Sequence, residues 1–335
     1  MDNKPKVSII MPVYKTERYI EETIQSVLKQ SYPNIELICI NDNTPDGAFE
    51  ICKEYQKKYA WIRLIENKEN QGQEFTRNHG LDEMKGDYVL FLDSDDTIAT
   101  DMLERMVDVA LSDHSDVVMS AYSMIIEGED TPVLVNAASP FEQTMDLRTF
   151  ASLLLDPIEW KILCCVGTKL YKTSIIQNNH LRFDKKFKYN EDGGFILSFL
   201  FACQRVSYIN EPFYKYRIRD AGSTMSSYRP DMFQSIIKVN ELLRDVLVEN
   251  DVFDQKEKLY YRKLLFIIID SLRNEVRFGD KKSFHKALNV ISNYADYKKM
   301  RDTLLHSDVL AVKQKVFLIF MRFHLYSLLY SILKK

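Results

Sequence analysis

The chain has 335 residues, with 45 lysines and arginines against 48 aspartates and glutamates, so its net charge is −3. Its hydrophobic content of 46% and charged content of 28% exclude an intrinsically disordered chain. A near-neutral charge lacks the basic excess typical of proteins that bind nucleic acid, so we expect no nucleic-acid partner. The length predicts about two domains.

The cysteines give no sign of a disulfide framework. Their number is five, and no Cys-x-x-Cys pair occurs among them. The first apolar run is broken by Pro12 and Lys15, which makes it too short and wrongly flanked for a signal peptide. These features predict a cytoplasmic protein with reduced thiols.

Short apolar segments alternate with helical patterns in the first third of the chain. Strands are predicted at Val7–Met11, Ile35–Ile40, Trp61–Ile65, Tyr88–Leu92 and Asp116–Tyr122. Helices are predicted over Thr16–Gln30, from the turn after Ile40 to about Tyr59, and over Gln73–Met84 and Thr100–Leu111. This alternation predicts an open, mostly parallel α/β sheet, in which ligands bind beyond the carboxyl ends of the strands.

The acids that directly follow the strand Tyr88–Leu92 are candidates for metal binding. Asp93 and Asp95 are two residues apart, so on an extended segment they face the same way. Two carboxylates suit Mg²⁺ or Mn²⁺, which would neutralise charge on a diphosphate leaving group. An alternative is that these acids begin the next helix as caps.

Four further residues have both a functional and an ordinary interpretation. Asp42 could accept a hydrogen bond from a nucleobase, or could form an Asx turn. Arg77 could hold a diphosphate, or lie solvated on its helix. Asp192 could be a general base, or an acid in the first turn of a helix. Arg217, with Gly222–Thr224 nearby, could form a basic flap over phosphates or an ordinary surface loop.

The order of these segments resembles glycosyltransferase family 2. The matching segments are Val7–Tyr14, Glu17–Ile20, Ser26–Pro33, Glu36–Asp42, Asn70–Gly72, Thr76–Asn78, Gly80–Leu81, Gly86–Asp96, Lys169–Tyr171, Asn190–Asp192, Tyr214–Arg217 and Gly222–Thr224. They cover roughly residues 4–225. The resemblance implies the GT-A fold, a nucleotide-diphospho-sugar domain that we expect over residues 1–228, and transfer with inversion of the anomeric carbon.

The resemblance also implies roles for individual residues. The nucleoside pocket would be lined by Pro12, Tyr14, Glu17 and Asp42, with Asp42 reading the base. The nucleotide-sugar would lie near Arg77, Asp93 and Ser94, and Asp95 would ligate a divalent metal, Mn²⁺ or Mg²⁺. The catalytic base would be Asp192. The acceptor side and the flap would include Lys169 and Arg217.

Two segments depart from the family pattern. The family's two consecutive acids are here Asn41-Asp42, which keeps only the second acid. The family's small residues before the Arg-Asn pair are here Gln73-Glu74-Phe75, whose bulk and charge would alter the sugar pocket.

The region 229–335 is predicted to be helical, with helices at Phe233–Val248, Lys258–Phe278, Lys281–Tyr294 and Val316–Leu333. The last of these is mostly apolar, contains Arg322 near its middle, and belongs to a tail with no acid after Asp308. A central arginine disfavours a bilayer span. We therefore expect either a basic helix at the inner face of the membrane or a helix buried in a homodimer or against the first domain.

These features together predict a metal-dependent inverting glycosyltransferase. It would transfer a sugar from a nucleotide-sugar to a hydroxyl of a glycan or lipid-linked acceptor in surface polysaccharide synthesis. The expected donor is a UDP-sugar. The alternatives are a sugar nucleotidyltransferase, whose Gly-rich loop is missing after the first strand, and a non-catalytic nucleotide- or glycan-binding scaffold.

Overall fold

The computed structural model describes residues 4–127, 133–135, 144–155, 165–219 and 228–334. The chain forms two compact units. The first comprises Met1–Phe150, Pro157–Lys185 and Glu191–Ala221, and the second comprises Ala151–Asp156, Lys186–Asn190 and Gly222–Lys335. The domain boundary expected between residues 228 and 229 stays a prediction.

The first unit is built on a mixed β-sheet. Its strands are β1 (Val7–Val13), β2 (Ile35–Asn41), β3 (Ile62–Glu66), β4 (Tyr88–Phe91), β5 (Thr97–Ile98), β6 (Val117–Ile126), β7 (Val133–Val135), β8 (Met145–Asp146), β9 (Lys169–Lys172) and β10 (Arg205–Ile218). They are ordered β3-β2-β1-β4-β9-β6-β10-β5, with β7 beside β6 and β8 beside β10. Strands β1 to β4 are parallel, whereas β9 runs antiparallel between β4 and β6.

Helices flank this sheet and make up most of the second unit. Those of the first unit are Ile20–Leu28, Ala48–Lys58, Gln73–Glu83, Met102–Ser112, Thr173–Asn178 and Glu191–Ala202, and a further helix covers Leu147–Leu153. Those of the second unit are Met232–Glu249, Phe253–Phe278, Lys281–Ser292, Tyr297–Leu305, Val312–Arg322 and Tyr326–Leu333. The predicted α/β class and the helical C-terminal region are confirmed.

The parallel part of the sheet follows directly from the apolar runs. All seven residues of β1 are buried, as expected for a strand covered on both faces. The helix Gln73–Glu83 packs closely on this strand because Gly80 has no side chain. A Cβ there would lie 2.5 Å from Ile10 Cγ2 and 2.8 Å from Ile40 Cδ1. This close packing holds the helix that carries Arg77 at the carboxyl edge of the sheet.

One predicted helix in the C-terminal part differs from the structure. The single helix predicted over Val316–Leu333 is wrong, because the chain turns after Arg322 and a new helix begins at Tyr326. His324 in that turn adopts a left-handed conformation, with φ of 55°, which a continuous helix does not allow. Across the described ranges, every helix is too short or too polar to cross a bilayer.

Candidate active site

The acidic loop after β4 forms the centre of the candidate site. Its turn is closed by the amide of Asp96, which donates to the carbonyl of Asp93 at 3.1 Å. The next helix begins only at Met102, after the short strand β5. Asp93 and Asp95 are therefore not caps of that helix, and the alternative interpretation of these acids is wrong.

Arg77 lies between two of the predicted site carboxylates. Its Nη2 is 2.9 Å from Oδ1 of Asp93, and its Nη1 is 2.6 Å from Oδ1 of Asp192. The Arg77 side chain is only 2% exposed, so its interpretation as a solvated helix residue is wrong. Burial acts to lower the pKa of Arg77, but the charges of Asp192 and Asp93 outweigh it and raise that pKa above its ordinary value. The guanidinium is thus a permanent cation that joins the two acids.

Aromatic rings support this guanidinium from one side. The centroid of the Phe183 ring is 5.2 Å from the guanidinium carbon of Arg77, a cation–π distance. Phe183 in turn stacks on Phe195, with centroids 4.2 Å apart, and meets Phe91 edge-on at 5.1 Å. Because Phe195 lies on the same helix as Asp192, this stack fixes the helix relative to Arg77.

Asp192 occupies the first turn of the helix Glu191–Ala202, as the ordinary interpretation also predicted. Its Oδ2 has a long contact, 3.4 Å, from the amide of Val166. The side chain is 26% exposed. One carboxylate oxygen is therefore held by Arg77, and the side chain as a whole remains partly exposed.

The departure at residues 73–75 has a direct effect on this cluster. The side-chain amide of Gln73 donates to Oδ1 of Asp93 at 2.9 Å, the same oxygen that Arg77 contacts. Phe75 is 41% exposed. Gln73 thus orients Asp93, a role that the sequence did not reveal.

Asp95 and Asp96 contact the end of β10. Asp95 forms an ion pair with Arg219, and its carbonyl accepts from Nε of Arg217 at 3.0 Å. Burial and the nearby charge of Asp93 raise the pKa of Asp95, although Arg219 opposes this. Asp96 is buried, and it accepts from the hydroxyl of Tyr214 at 2.7 Å. Burial and the two neighbouring acids raise the pKa of Asp96 well above its ordinary value.

Sequence reasoning missed Asp96, Tyr214 and Arg219 as site residues. Arg219 follows Arg217 by two residues, the spacing that puts side chains on one face of a strand, and this pattern could have revealed it. Both guanidinium groups lie over the ring of Tyr19, at 5.2 Å and 5.0 Å. Arg217 also pairs with Glu22 at 2.6 Å. Gly222–Thr224, the rest of the predicted flap, lie outside the described residues.

Asp42 lies at the end of β2 and is buried. Its Oδ1 accepts from the side-chain amide of Asn67 and the backbone amide of Gln71, both at 2.9 Å. Its Oδ2 accepts from the amide of Gly72, also at 2.9 Å. Gly72 has φ of 90°, a conformation that favours glycine. The Asx turn predicted for Asp42 is therefore wrong; in this segment Asp46 accepts from the amide of Ala48, two residues on, at 3.3 Å. Asp42 thus fixes the loop that leads to Arg77.

The other predicted nucleoside residues lie at the carboxyl end of β1 or just beyond it. Pro12 is buried within the strand, whereas Tyr14 is 38% exposed. Glu17 accepts from the amide of Gly47 at 3.0 Å, which ties the loop after β1 to the loop after β2. Ser94 is buried and accepts from the hydroxyl of Thr16 at 3.0 Å.

Lys169 is fully buried in β9. Its ammonium donates to the carbonyl of Cys165 at 2.6 Å and to the hydroxyl of Thr168 at 2.9 Å. These bonds hold the segment before β9, whose Val166 amide faces Asp192. Its predicted role on the acceptor side stays a prediction.

The candidate donor groups for a divalent metal are hard carboxylate oxygens on Asp93 and Asp95. Within the part of the chain that the structure describes, no group of three or more His, Cys, Asp or Glu side chains is arranged to hold a metal by itself. Mg²⁺ and Mn²⁺ are commonly held by one or two carboxylates together with substrate phosphates. The residues therefore fit a metal that binds jointly with a diphosphate.

Comparison with known proteins places this arrangement in a family. The model of "Glycosyl transferase family 2" matches residues 8–178, which include Asp42, Arg77, Asp93 and Asp95. The chain belongs to glycosyl transferase family 2. The resemblance stated from the sequence is confirmed, and the family assigns glycosyl transfer as the enzymatic activity.

Family 2 relatives of known sequence match most of the chain. The glycosyltransferase EpsH of Bacillus subtilis is 32% identical over 294 residues, which cover 85% of this chain and 82% of EpsH. A poly(ribitol-phosphate) beta-glucosyltransferase of Bacillus spizizenii is 30% identical over 225 residues, which cover 66% of this chain and 33% of that protein.

Solved structures from two organisms share the fold. Residues 1–349 of Staphylococcus aureus TarS, solved with UDP-GlcNAc, align with a TM-score of 0.68 and 20% identity over 95% of this chain and 87% of theirs. A mannosyltransferase of Pyrobaculum calidifontis, solved with GDP-Man and Mn²⁺, aligns with a TM-score of 0.53 and 14% identity over 96% and 87%. These likenesses confirm the predicted GT-A fold.

Proposed function

We propose that this chain is a metal-dependent inverting glycosyltransferase that transfers a sugar from a UDP-sugar to a hydroxyl of a glycan or lipid-linked acceptor in surface polysaccharide synthesis. The observation that carries the proposal is the ion-pair bridge Asp93–Arg77–Asp192. It holds Asp192, a partly exposed acid, close to Asp93, and a single displacement at an anomeric carbon needs a base close to the donor.

In this mechanism Asp192 is the general base. Its Oδ2 takes the proton of the acceptor hydroxyl as that oxygen forms a bond to the anomeric carbon. The bond between that carbon and the diphosphate oxygen breaks on the opposite face, and the nucleoside diphosphate leaves with the electron pair. Arg77 holds Oδ1 of Asp192, so the base is oriented before the acceptor arrives.

Asp93 and Asp95 would hold the divalent metal, which would neutralise the charge of the diphosphate leaving group. Arg219 pairs with Asp95, so its positive charge already offsets the negative charge of one of these acids. Arg217 and Arg219 together supply positive charge at the end of β10, close to where a diphosphate would meet these acids. The basic-flap role of Arg217 is part of this proposal.

The choice of donor and acceptor rests on likeness. UDP is the proposed donor nucleotide because the resemblance favours it and because TarS, which shares the fold, was solved with UDP-GlcNAc. The Bacillus spizizenii relative acts, by its name, on poly(ribitol phosphate), a polymer with free hydroxyls. Asp42 would read the base, with Pro12, Tyr14 and Glu17 around the nucleoside.

The donor pocket can be tested by thermal unfolding with UDP, GDP, dTDP and CDP, each with and without Mn²⁺. A ligand at a hundredfold excess over its Kd stabilises the folded state by about 2.7 kcal/mol. We expect a shift with UDP that requires Mn²⁺. A shift with a different nucleoside diphosphate would assign the donor to that nucleotide instead. If none of the four produced a shift, the proposal would be overturned. Inversion is tested by the anomeric configuration of the transferred sugar, read by NMR.

A further inference from the structure

The helix Val312–Arg322 in the second unit is apolar on two opposite sides. One side, with Phe317, Leu318 and Met321, is buried. Successive helical residues turn by about 100°, so a second set lies within a sector of about 60° on the opposite side. This second set, the apolar stripe, consists of Val312, Val316 and Ile319 together with Phe323, the C-cap residue of the helix. Its members are between 38% and 77% exposed.

Basic residues flank the apolar stripe on both sides. Lys313 lies along one edge, and Lys315 and Arg322 lie along the other, each about a quarter turn or less from the nearest stripe residue. No acidic residue follows Asp308 in the sequence. The next helix, Tyr326–Leu333, adds two exposed apolar side chains, Leu328 and Ile332. Its flanking residues add a third, Leu325, and a further positive charge, Lys334.

We propose that the apolar stripe is a docking surface for an anionic membrane. Long basic side chains beside an apolar stripe can reach phosphate headgroups while the stripe enters the acyl boundary. A second copy of the chain fits less well, because a twofold interface would place each basic residue opposite the same basic set, with no acid of this tail to pair with. Exposure and charge alone support this surface, so it does not depend on the proposed glycosyl transfer.

The test is co-sedimentation of the purified 335-residue chain with vesicles. We expect binding to phosphatidylcholine vesicles that contain phosphatidylglycerol, weaker binding to phosphatidylcholine alone, and loss of binding as salt is raised. Replacing Lys313, Lys315 and Arg322 by glutamine should lower the partition coefficient about fivefold per charge, and only on the anionic vesicles.

A second variant tests the stripe itself. Ile319→Ser with Phe323→Ser should lower the partition coefficient roughly tenfold or more on anionic vesicles. Phe266→Ser, which removes an exposed aromatic from another helix of the same unit, should leave it unchanged. Because these side chains are exposed or, like Lys315, half-buried, the Tm of each variant should stay close to that of the wild type. Equal binding to both vesicle types, or unchanged binding of the double variant, would overturn the proposal. The proposal would also be overturned if the wild type bound no vesicles but formed a dimer in analytical sedimentation, and if the double variant were monomeric.

Discussion

Arg77 is 16 residues from Asp93 and 115 residues from Asp192 along the chain, yet its guanidinium lies within 2.9 Å of both carboxylates. The two ends of this bridge come from the loop after β4 and from the helix Glu191–Ala202. Each acid therefore depends on the same buried cation for its position. Loss of the Arg77 guanidinium is therefore expected to disturb both acids.

Asp192→Asn is expected to slow transfer strongly and to leave donor binding intact. The amide has the size of the carboxylate but cannot take the acceptor proton, and loss of a general base typically costs 10²- to 10⁴-fold in rate. Turnover with the acceptor and thermal shift with UDP and Mn²⁺ separate the two effects. Glu191→Gln is the matched control in the same helical turn. Turnover of Asp192→Asn equal to that of the control would remove the base assignment.

Arg77→Met is expected to destabilise the first unit by about 3 kcal/mol, at the lower end for a broken buried ion pair because the two acids are partly exposed. The reason is that two carboxylates lose their shared cation. Urea unfolding measures the change. In the double variant with Asp192→Asn the loss should be smaller than the sum of the two single losses. Strict additivity would show that Arg77 and Asp192 do not stabilise each other.

Asp95→Asn is expected to remove the Mn²⁺ dependence of the thermal shift with UDP. An amide oxygen carries no charge and is a much weaker ligand for a hard cation. Asp101→Asn, which changes an acid just before the helix Met102–Ser112, serves as the control. A shift that still requires Mn²⁺ in Asp95→Asn would assign the metal to other ligands.

Arg219→Ala is expected to tighten the binding of Mn²⁺ alone by a few-fold. The Arg219 guanidinium pairs with Asp95, so the metal competes with it for that carboxylate. Electron paramagnetic resonance of free Mn²⁺ gives the Kd without nucleotide or turnover. Weaker or unchanged binding in Arg219→Ala would show that the ion pair does not compete with the metal.

Glu36→Gln is expected to lower the free energy of unfolding by about 1.5–3 kcal/mol near pH 7, as for a hydrogen-bonded charge. Burial acts to raise the pKa of Glu36, but bonds from Ser8 and the Lys85 amide and two nearby cations outweigh it and lower that pKa. A lowered folded pKa stabilises the protein above the unfolded value of about 4.3, and this contribution is lost as the pH falls through the folded value.

Urea unfolding across this pH range tests the effect of Glu36. The difference between Glu36→Gln and the wild type should shrink as the solution becomes more acidic than the unfolded pKa. Glu54→Gln, at an exposed position of the same unit, should show little difference at any pH. A difference that persists unchanged in acid would mean that the Glu36 charge is not its source.

The parallel part of the sheet could be predicted because strands buried on both faces appear as continuous apolar runs. Strands β9 and β10 were not predicted, for two separate reasons. β9 has only four residues and begins with a buried lysine, Lys169. β10 shifts register between Ile209 and Tyr214, so its alternation is interrupted.

The site residues could be predicted only in part, because their roles depend on distant partners. The acids after β4 follow from the strand that precedes them. The burial of Arg77 does not, since Asp192 and Phe183 reach it from more than 100 residues away. The contact between Gln73 and Asp93 likewise requires the three-dimensional structure, because no local pattern joins the two.

The position of β9 has a consequence for synthesis on the ribosome. β4 ends at Phe91 and β6 at Ile126, but the strand that pairs with both is completed only at Lys172. During translation, the facing edges of β4 and β6 therefore remain unpaired for at least 46 residues after β6 is finished, counted from 126 to 172. Unpaired edges are templates for association between chains. Fragments that stop before residue 169 are accordingly expected to aggregate, and slowing translation in that interval should increase the demand for chaperones.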